Sequence, residues 1–300
     1  KFNVVVGNPP FQDESNDSTC TNLWADIYIK SFESLTENGF MAMITPKTWA
    51  APKIDGRRSQ TGDVANIIKD HAIFVNIDEC SKYFSVGSTF SFSVVSKKKN
   101  KNPVTFQLKN DKIVFDDIQT LILRMPKEIS KDSVSIFKKI YSTPQFKKEN
   151  GTTLSGKMIH DRDRNTNNSK TYPFRVQFSQ GTIKWSDTKN KFQDYKKVLF
   201  PNQTTQNFPI YDSGISAPPN RGAVFVVESD LQGNNFVSFV KSKIMQFAIS
   251  QQRCHHGLLN TSVISCIPKI DLDRSWTDQE LYAHFGLTED EIALIERSVQ

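Results

Sequence analysis

Three hundred residues, 37% of them hydrophobic and 11% aromatic, suffice for two domains with cores of their own. No run approaches the roughly 18 consecutive apolar residues of a membrane helix. The 38 Lys and Arg against 32 Asp and Glu leave a net charge of +6, which suits a polyanionic partner without demanding one. Four scattered cysteines, Cys20, Cys80, Cys254 and Cys266, form no C-x-x-C pair and point to reduced thiols inside a cell. Asn3 interrupts the opening apolar run and no small-residue cleavage site follows, so a cytoplasmic protein is expected.

The first element in chain order is "FNVVV" (2–6), a continuous apolar run of the kind buried on both faces of a parallel sheet. "NLWADIYIKSFESLTEN" (22–38) has helical spacing at Leu23, Trp24, Ile27, Phe32 and Leu35, with Asn22 as N-cap and Gly39 just past the end. "FMAMITP" (40–46) reads as a second buried strand stopped by Pro46. A helix around Gly62–His71 leads into the strand "IFVNI" (73–77). The alternating "STFSFSVVS" then turns through the basic Lys97–Lys101 stretch into "PVTFQL" (103–108), its expected hairpin partner. Strand and helix alternate as in a doubly wound α/β fold, of which this is the second half.

Past about residue 125 the texture changes. "DSVSIFKKIYS" is a short amphipathic helix, and 149–170 is polar and glycine-punctuated. "YPFRVQF", "TIKWS", "KKVLFP" and "GAVFVVE" are strand candidates. A single helical stretch over 235–252, a segment "SVISCIPKIDL" and two C-terminal helices follow. Thr288 caps the last of these, with Glu291 three residues on. The expected architecture is a partial doubly wound sheet over 1–125 followed by a mixed α+β domain over 126–300. "CHHG" (254–257) has no second ligand pair at metal spacing and reads as a turn, so no metal is expected.

The chemistry concentrates in "GNPPF" (7–11). Ligands of doubly wound sheets sit beyond the carboxyl ends of the strands, where this turn falls. Two prolines stiffen the backbone and remove two amide donors, leaving an acceptor surface. The Asn8 side-chain oxygen and the Pro9 carbonyl match the two hydrogens of one NH2 group, Pro10 keeps the turn extended, and Phe11 offers a face to an aromatic ring. An exocyclic nucleobase amine needs such acceptors. Its lone pair is delocalised into the ring until it is drawn toward tetrahedral geometry.

"VVVGNPPF", "LTENGFMAMITPKTWA" and "YFSVGSTFSFSVVSKK" together resemble the catalytic half of γ-class adenine-N6 DNA methyltransferases of bacterial restriction-modification systems. "SKIMQFAISQQR", "CIPKIDL" and "RSWTDQELYAHFGLTEDEIALIE" resemble the C-terminal region of the large members and of the fused endonuclease-methyltransferases. The resemblance implies that Asn8 and Pro9 hold the adenine amine, that Phe11 stacks on the flipped base and that Phe84 contacts that base or the space it leaves. It implies S-adenosylmethionine as methyl donor, double-stranded DNA as partner, and residues 126–300 as the target-recognition domain. Candidate DNA contacts there are Lys157, Arg162, Arg164, Lys170, Arg175, Asn220, Arg221, Arg253 and His255, with "APPNRG" (217–222) as a stiff turn presenting Asn and Arg.

The departure from the family lies in the cofactor half. None of the 13 glycines forms a G-x-G, and only six residues precede Gly7. The expectation is therefore the C-terminal portion of a longer polypeptide or one half of a split enzyme, inactive in isolation. Its missing N-terminal partner would carry the S-adenosylmethionine loop. The rival classes are a DNA-recognition module without catalysis and a methyltransferase acting on RNA or protein glutamine. A magnesium nuclease is disfavoured, since no strand bears Asp with Glu-x-Lys.

Overall fold

The computed structural model describes residues 1–10, 23–50, 60–77, 90–107, 112–115, 129–147, 149–150, 158–160, 172–179, 182–200, 209–218, 223–251, 264 and 267–299. They divide into two compact units, Lys1–Val134 and Ser135–Gln300. Among them no helix is long and apolar enough to cross a membrane.

The first unit is a six-stranded mixed sheet with two helices. Its elements are β1 (Phe2–Gly7), α1 (Leu23–Glu33), β2 (Leu35–Pro46), a 3-10 turn (Lys47–Ala50), α2 (Gln60–His71), β3 (Ala72–Asn76), β4 (Phe90–Ser96), β5 (Val104–Gln107) and β6 (Lys112–Phe115). The strand order is β1-β2-β4-β3-β5-β6. β1 runs parallel to β2, and β3 parallel to β5, while β4 is antiparallel to both of its neighbours.

The expected β4–β5 hairpin does not form, because β3 lies between the two strands. The basic loop after β4 carries the chain past the start of β3 and is tied there. Asn100 donates its amide to the Asp70 carbonyl and its side-chain nitrogen to Ala72, and Lys99 pairs with Asp70 at 2.8 Å. α1 also stops five residues short of the expected end at Asn38. Leu35 is recruited as the register partner of Phe2, and Ser34 closes the last helical turn by donating to Ser31 and Lys30 carbonyls. Gly39 is required in the irregular start of β2, since a Cβ there would lie 3.0 Å from the Phe2 carbonyl oxygen.

Both helices pack on one face of the sheet. Trp24, Ala25, Tyr28 and Phe32 of α1 and Val64, Ala65 and Ile68 of α2 join Met41, Met43, Val75, Val95, Phe106 and Ile113 in one core. The opposite face is apolar and open. Phe2, Val4 and Val6 are 60%, 61% and 74% exposed, Phe40 is exposed beside them, and Val114 is exposed on β6 at the far side of the sheet. β1 is therefore not buried on both faces as its composition suggests. It is an edge strand, and among the described residues its one partner is β2.

The second unit holds two antiparallel sheets and a helical layer. It is built from α3 (Lys131–Tyr141), within which the division falls, then β7 (Glu149–Asn150), β8 (Met158–His160), β9 (Phe174–Ser179), β10 (Thr182–Ser186), β11 (Lys196–Phe200), β12 (Ile210–Ser213), β13 (Ala223–Val226), α4 (Asp230–Lys241), α5 (Lys243–Gln251), α6 (Asp278–His284) and α7 (Glu289–Ser298). The sheets are ordered β8-β10-β9 and β12-β11-β13-β7. Ile136, Phe137, Val198, Phe200, Phe225, Phe236, Phe239, Phe247, Leu281 and Ile295 form its core.

The helix expected over 235–252 is two helices, broken at Ser242, which is extended at ψ 154°. The break lets the Lys243 amide donate to Asp278 and the Lys243 ammonium pair with Glu296. Gly233 of α4 sits against the Tyr211 ring, where an added Cβ would fall 2.1 Å from a ring carbon. The capping box of Thr288 and Glu291 forms, and so does a second one at Thr277 and Glu280.

Candidate active site

The carboxyl ends of β1, β2, β3 and β5 and the amino end of β4 share one edge of the first sheet, as the pairings Gly7↔Met43, Pro46↔Phe90, Asn76↔Phe92 and Asn76↔Gln107 require. Asn8, Pro9 and Pro10 stand at this edge where β1 ends. Without amide hydrogens the two prolines cannot extend the ladder. Asn8 is exposed and Pro9 is buried. A polar side chain is thus presented to solvent from an anchored turn. At Gly7 an added Cβ would lie 3.0 Å from the Met43 sulfur, a contact that would make that side chain shift.

Next to β1 this edge is braced by a buried network of neutral hydrogen-bonding groups. Trp49, in the turn that follows β2, donates its indole Nε1 hydrogen to Ser91 Oγ at 2.7 Å. Ser91 Oγ is 3.2 Å from Thr45 Oγ1, and one strand turn further in Tyr28 of α1 meets Ser93 Oγ at 3.0 Å. Thr45, Trp49, Ser91, Ser93 and Tyr28 are all fully buried. Burial raises the Tyr28 phenol well above its ordinary value, so it stays neutral. Ser91 and Ser93 of "FSFSVVS" therefore face the helices, and Phe92 and Val94 face the opposite side, where Phe92 meets Phe74 at 6.3 Å between ring centroids. Composition alone does not reveal this inversion, which depends on hydrogen-bond partners from α1 and from the turn after β2.

Phe11 and Phe84 lie outside the described residues. Phe90 is on the edge that carries Asn8, two strands or roughly 10 Å from β1.

Of the DNA-contact candidates, Lys157, Arg162, Arg164, Lys170, Asn220, Arg221, Arg253 and His255 lie outside the described residues, as does "CHHG". Arg175 is described. It is half-buried on β9, opposite Trp185 of β10, and its Nη2 donates to Gln177 Oε1 at 3.3 Å. Its carbonyl accepts from the Ala217 amide at 2.8 Å and from Gln193 Nε2 at 3.0 Å.

Behind Arg175 is an ion pair that the composition does not announce. Lys197 of β11 is fully buried and donates to Asp212 Oδ1 at 2.7 Å and to the carbonyls of Tyr195 and Gln193. The Asp212 carboxylate also accepts from the amides of Gly214, Ile215 and Ser216. Burial pushes the Asp212 carboxyl up, but the Lys197 ammonium and the Ser216 amide outweigh it and hold it below the ordinary carboxylate value. The signal for this turn in the sequence is "YDSG", where Asp caps its own turn and Gly214 adopts φ +101°.

Residues 1–84 match the Eco57I restriction-modification methylase family. That stretch contains Asn8 to Phe11 and closes on Phe84. No curated protein matches the chain in sequence. Among solved structures it is similar to the type IIL restriction-modification enzyme MmeI, solved in complex with DNA, with 11% identity over 83% of this chain and 43% of that one and a TM-score of 0.46. The type IIG restriction endonuclease BpuSI is similar with 8% identity over 95% of this chain and 49% of that one, at a TM-score of 0.33. The M protein of the type I restriction enzyme EcoKI is similar with 15% identity over 35% of this chain and 25% of that one, at a TM-score of 0.28. The chain spans less than half the length of each.

Proposed function

We propose that the first unit carries the target-base site of an S-adenosylmethionine-dependent DNA adenine-N6 methyltransferase of a restriction-modification system, and that the second unit reads the DNA. The observation that carries this reading is the methylase-family match over residues 1–84, which includes the Asn8–Pro9–Pro10 turn at the carboxyl edge of the sheet, with Asn8 exposed and Pro9 anchored.

An adenine extruded from the duplex brings its amine to that turn. Asn8 Oδ1 and the Pro9 carbonyl accept its two hydrogens, drawing the nitrogen out of conjugation so that its lone pair becomes nucleophilic. The acceptors also offset positive charge developing on nitrogen, the reverse of an oxyanion hole. No titrating base is needed. Phe11 stacks on the base, and Phe84 fills a second contact to it or to the gap left in the duplex.

The residues present do not fit the methyl donor itself. The chain has no G-x-G, and its chemistry at this edge is that of an acceptor for an amine rather than a cradle for an adenosine. Exposed Phe2, Val4, Val6 and Phe40 and half-buried Phe74, Phe92 and Val94 lie on one face of the sheet, and among the described residues β1 pairs on one side only. These support a further segment or subunit joining along β1 and bringing the S-adenosylmethionine loop. An exposed apolar row on an edge strand is otherwise a hazard for aggregation.

The test is made in the full-length protein supplied with S-adenosylmethionine and duplex DNA. Asn8→Ala lowers adenine methylation on the order of 100- to 1000-fold, as for the loss of one oxyanion-hole donor, and leaves duplex affinity within about threefold. Unchanged methylation by Asn8→Ala overturns the reading. So does methyl transfer to RNA or to protein glutamine in place of DNA. Sequence-specific duplex binding without any methyl transfer by the unaltered protein would mark a recognition module instead.

A further inference from the structure

We infer that Arg175 reads a guanine edge in the DNA and that Gln193, Asp212 and Lys197 are positioning residues that hold it for that purpose. The inference rests on the DNA-methyltransferase reading above.

Arg175 is under-used inside the protein. Its guanidinium has five N–H donors, and among the described residues it makes one hydrogen bond, at a long 3.3 Å, and no ion pair. Lys139, Lys196, Lys197, Lys243 and Arg274 of the same unit each meet a carboxylate. The half-buried fork of Arg175 is left with donors on offer, and Arg is the side chain whose two parallel donors match guanine O6 and N7.

The backbone of Arg175, in contrast, is held to an unusual degree. Its carbonyl takes two donors, the Ala217 amide and Gln193 Nε2. The next residue, Val176, is fully buried and bridges Ala217, whose carbonyl accepts from the Gln177 amide. Gln193 reaches the Ile215 carbonyl at 2.6 Å as well, so a single side chain joins β9 to the turn after β12. That turn is capped by Asp212, and Asp212 is held by Lys197, which also takes the carbonyl of Gln193. Gly214 closes the assembly, because its Cβ position falls 2.9 Å from the Asp194 carbonyl oxygen.

Stability alone does not account for such an arrangement. A buried ion pair gains little over apolar residues of the same volume, and its best-attested use is to impose one conformation. Gln193 Oε1 and Ser216 Oγ are moreover buried without a partner among the described residues, an expense in desolvation that a purely stabilising cluster would avoid. What the cluster secures is the position of the Arg175 backbone, and precise placement is what base reading needs.

The experiment profiles adenine methylation by the full-length protein with S-adenosylmethionine on a duplex pool randomised around the adenine, with thermal melting of each variant alongside. Arg175→Ala lowers discrimination at one base pair by roughly 5- to 150-fold and leaves the other positions unchanged. Arg175→Lys keeps the charge and the salt dependence of binding but loses the same discrimination, which separates base reading from a phosphate contact. Gln193→Met, nearly isosteric, relaxes the same position by roughly two- to tenfold, the worth of the bonds it removes, while preference at the other positions is kept and melting shows that the variant still folds. Preference retained at every position by Arg175→Ala and Arg175→Lys overturns the inference while the methyltransferase reading stands. A Gln193→Met effect spread equally over all sequences does the same for the positioning role. Failure of the unaltered protein to methylate adenine would bring down both.

Discussion

The two units solve the same problem, bracing loops at the end of a sheet, with different chemistry. In the first, the buried polar atoms are hydroxyls and an indole: Thr45, Ser91, Ser93, Tyr28 and Trp49 satisfy one another without a formal charge. In the second, they are ions: Lys197 with Asp212, and Lys139 with the buried Glu291. The neutral brace lies next to the turn proposed to hold an amine, where a nearby fixed charge would compete with the alignment of two weak acceptors. The charged brace lies where several amide and carbonyl groups of two separate turns must be gathered at one point, which a carboxylate and an ammonium do with few atoms. Among the described residues the first unit leaves Phe2, Val4, Val6 and Phe40 exposed on one sheet face, whereas the second packs α4 to α7 into its core.

Removing one ion is expected to have the largest effect. Lys197→Met strands the Asp212 carboxylate in the interior and should cost the second unit about 3–5 kcal/mol, read from its urea transition. Adding Asp212→Asn should recover part of that loss, since an amide oxygen still accepts from Gly214 to Ser216. A full-size loss persisting in the double variant would show that the cap, not the charge, is what matters.

The neutral brace should be weaker per group. Ser91→Ala leaves the Trp49 indole hydrogen without its acceptor and should cost the first unit about 1–3 kcal/mol, with no change in the second. A cost as large as that of Lys197→Met would erase the contrast between the two chemistries.

Acid should separate the units by a smaller margin. The backbone of Thr277 and the Arg274 guanidinium hold the exposed Glu280 at about 2, and Lys243 and Tyr282 hold Glu296 below its ordinary value. Burial raises Glu291, but Lys139 outweighs it and keeps the net shift downward, as Lys197 does for Asp212. Carboxyls lowered by folding stabilise fully above their unfolded values and cease to do so as pH falls through their folded ones. Between the ordinary value of 4.5 and about 2, the second unit should therefore lose hydrogen-exchange protection first. The first unit has Asp70, held down by Lys99, as its one such carboxylate among the described residues. Simultaneous loss in both units would contradict this assignment.

What could be read from the chain was local. The run "FNVVV" announced a strand, α2 and α3 declared themselves by periodicity, and Thr288 with Glu291 announced a helix start, because each signal depends on residues within one or two turns. The Asn8–Pro9–Pro10 turn was legible for the same reason, since proline removes donors wherever it stands.

Tertiary structure decided the rest. Apolar composition alone could not tell a strand covered on both faces from β1, an edge strand with Val4 and Val6 in the open. Nor could it show β4 inserted between β2 and β3, with its serines turned inward to receive Trp49 and Tyr28. Lys197 looked like any surface lysine in "KKVLF" until Asp212, fifteen residues on, closed over it. By itself the sequence determined where most strands and helices form and where the Asn8–Pro9–Pro10 turn stands, through short-range sterics and hydrogen bonding. Which face each strand buries, which strands are neighbours and which charges lose their water depend on residues brought together from distant parts of the chain, and only the folded structure decided them.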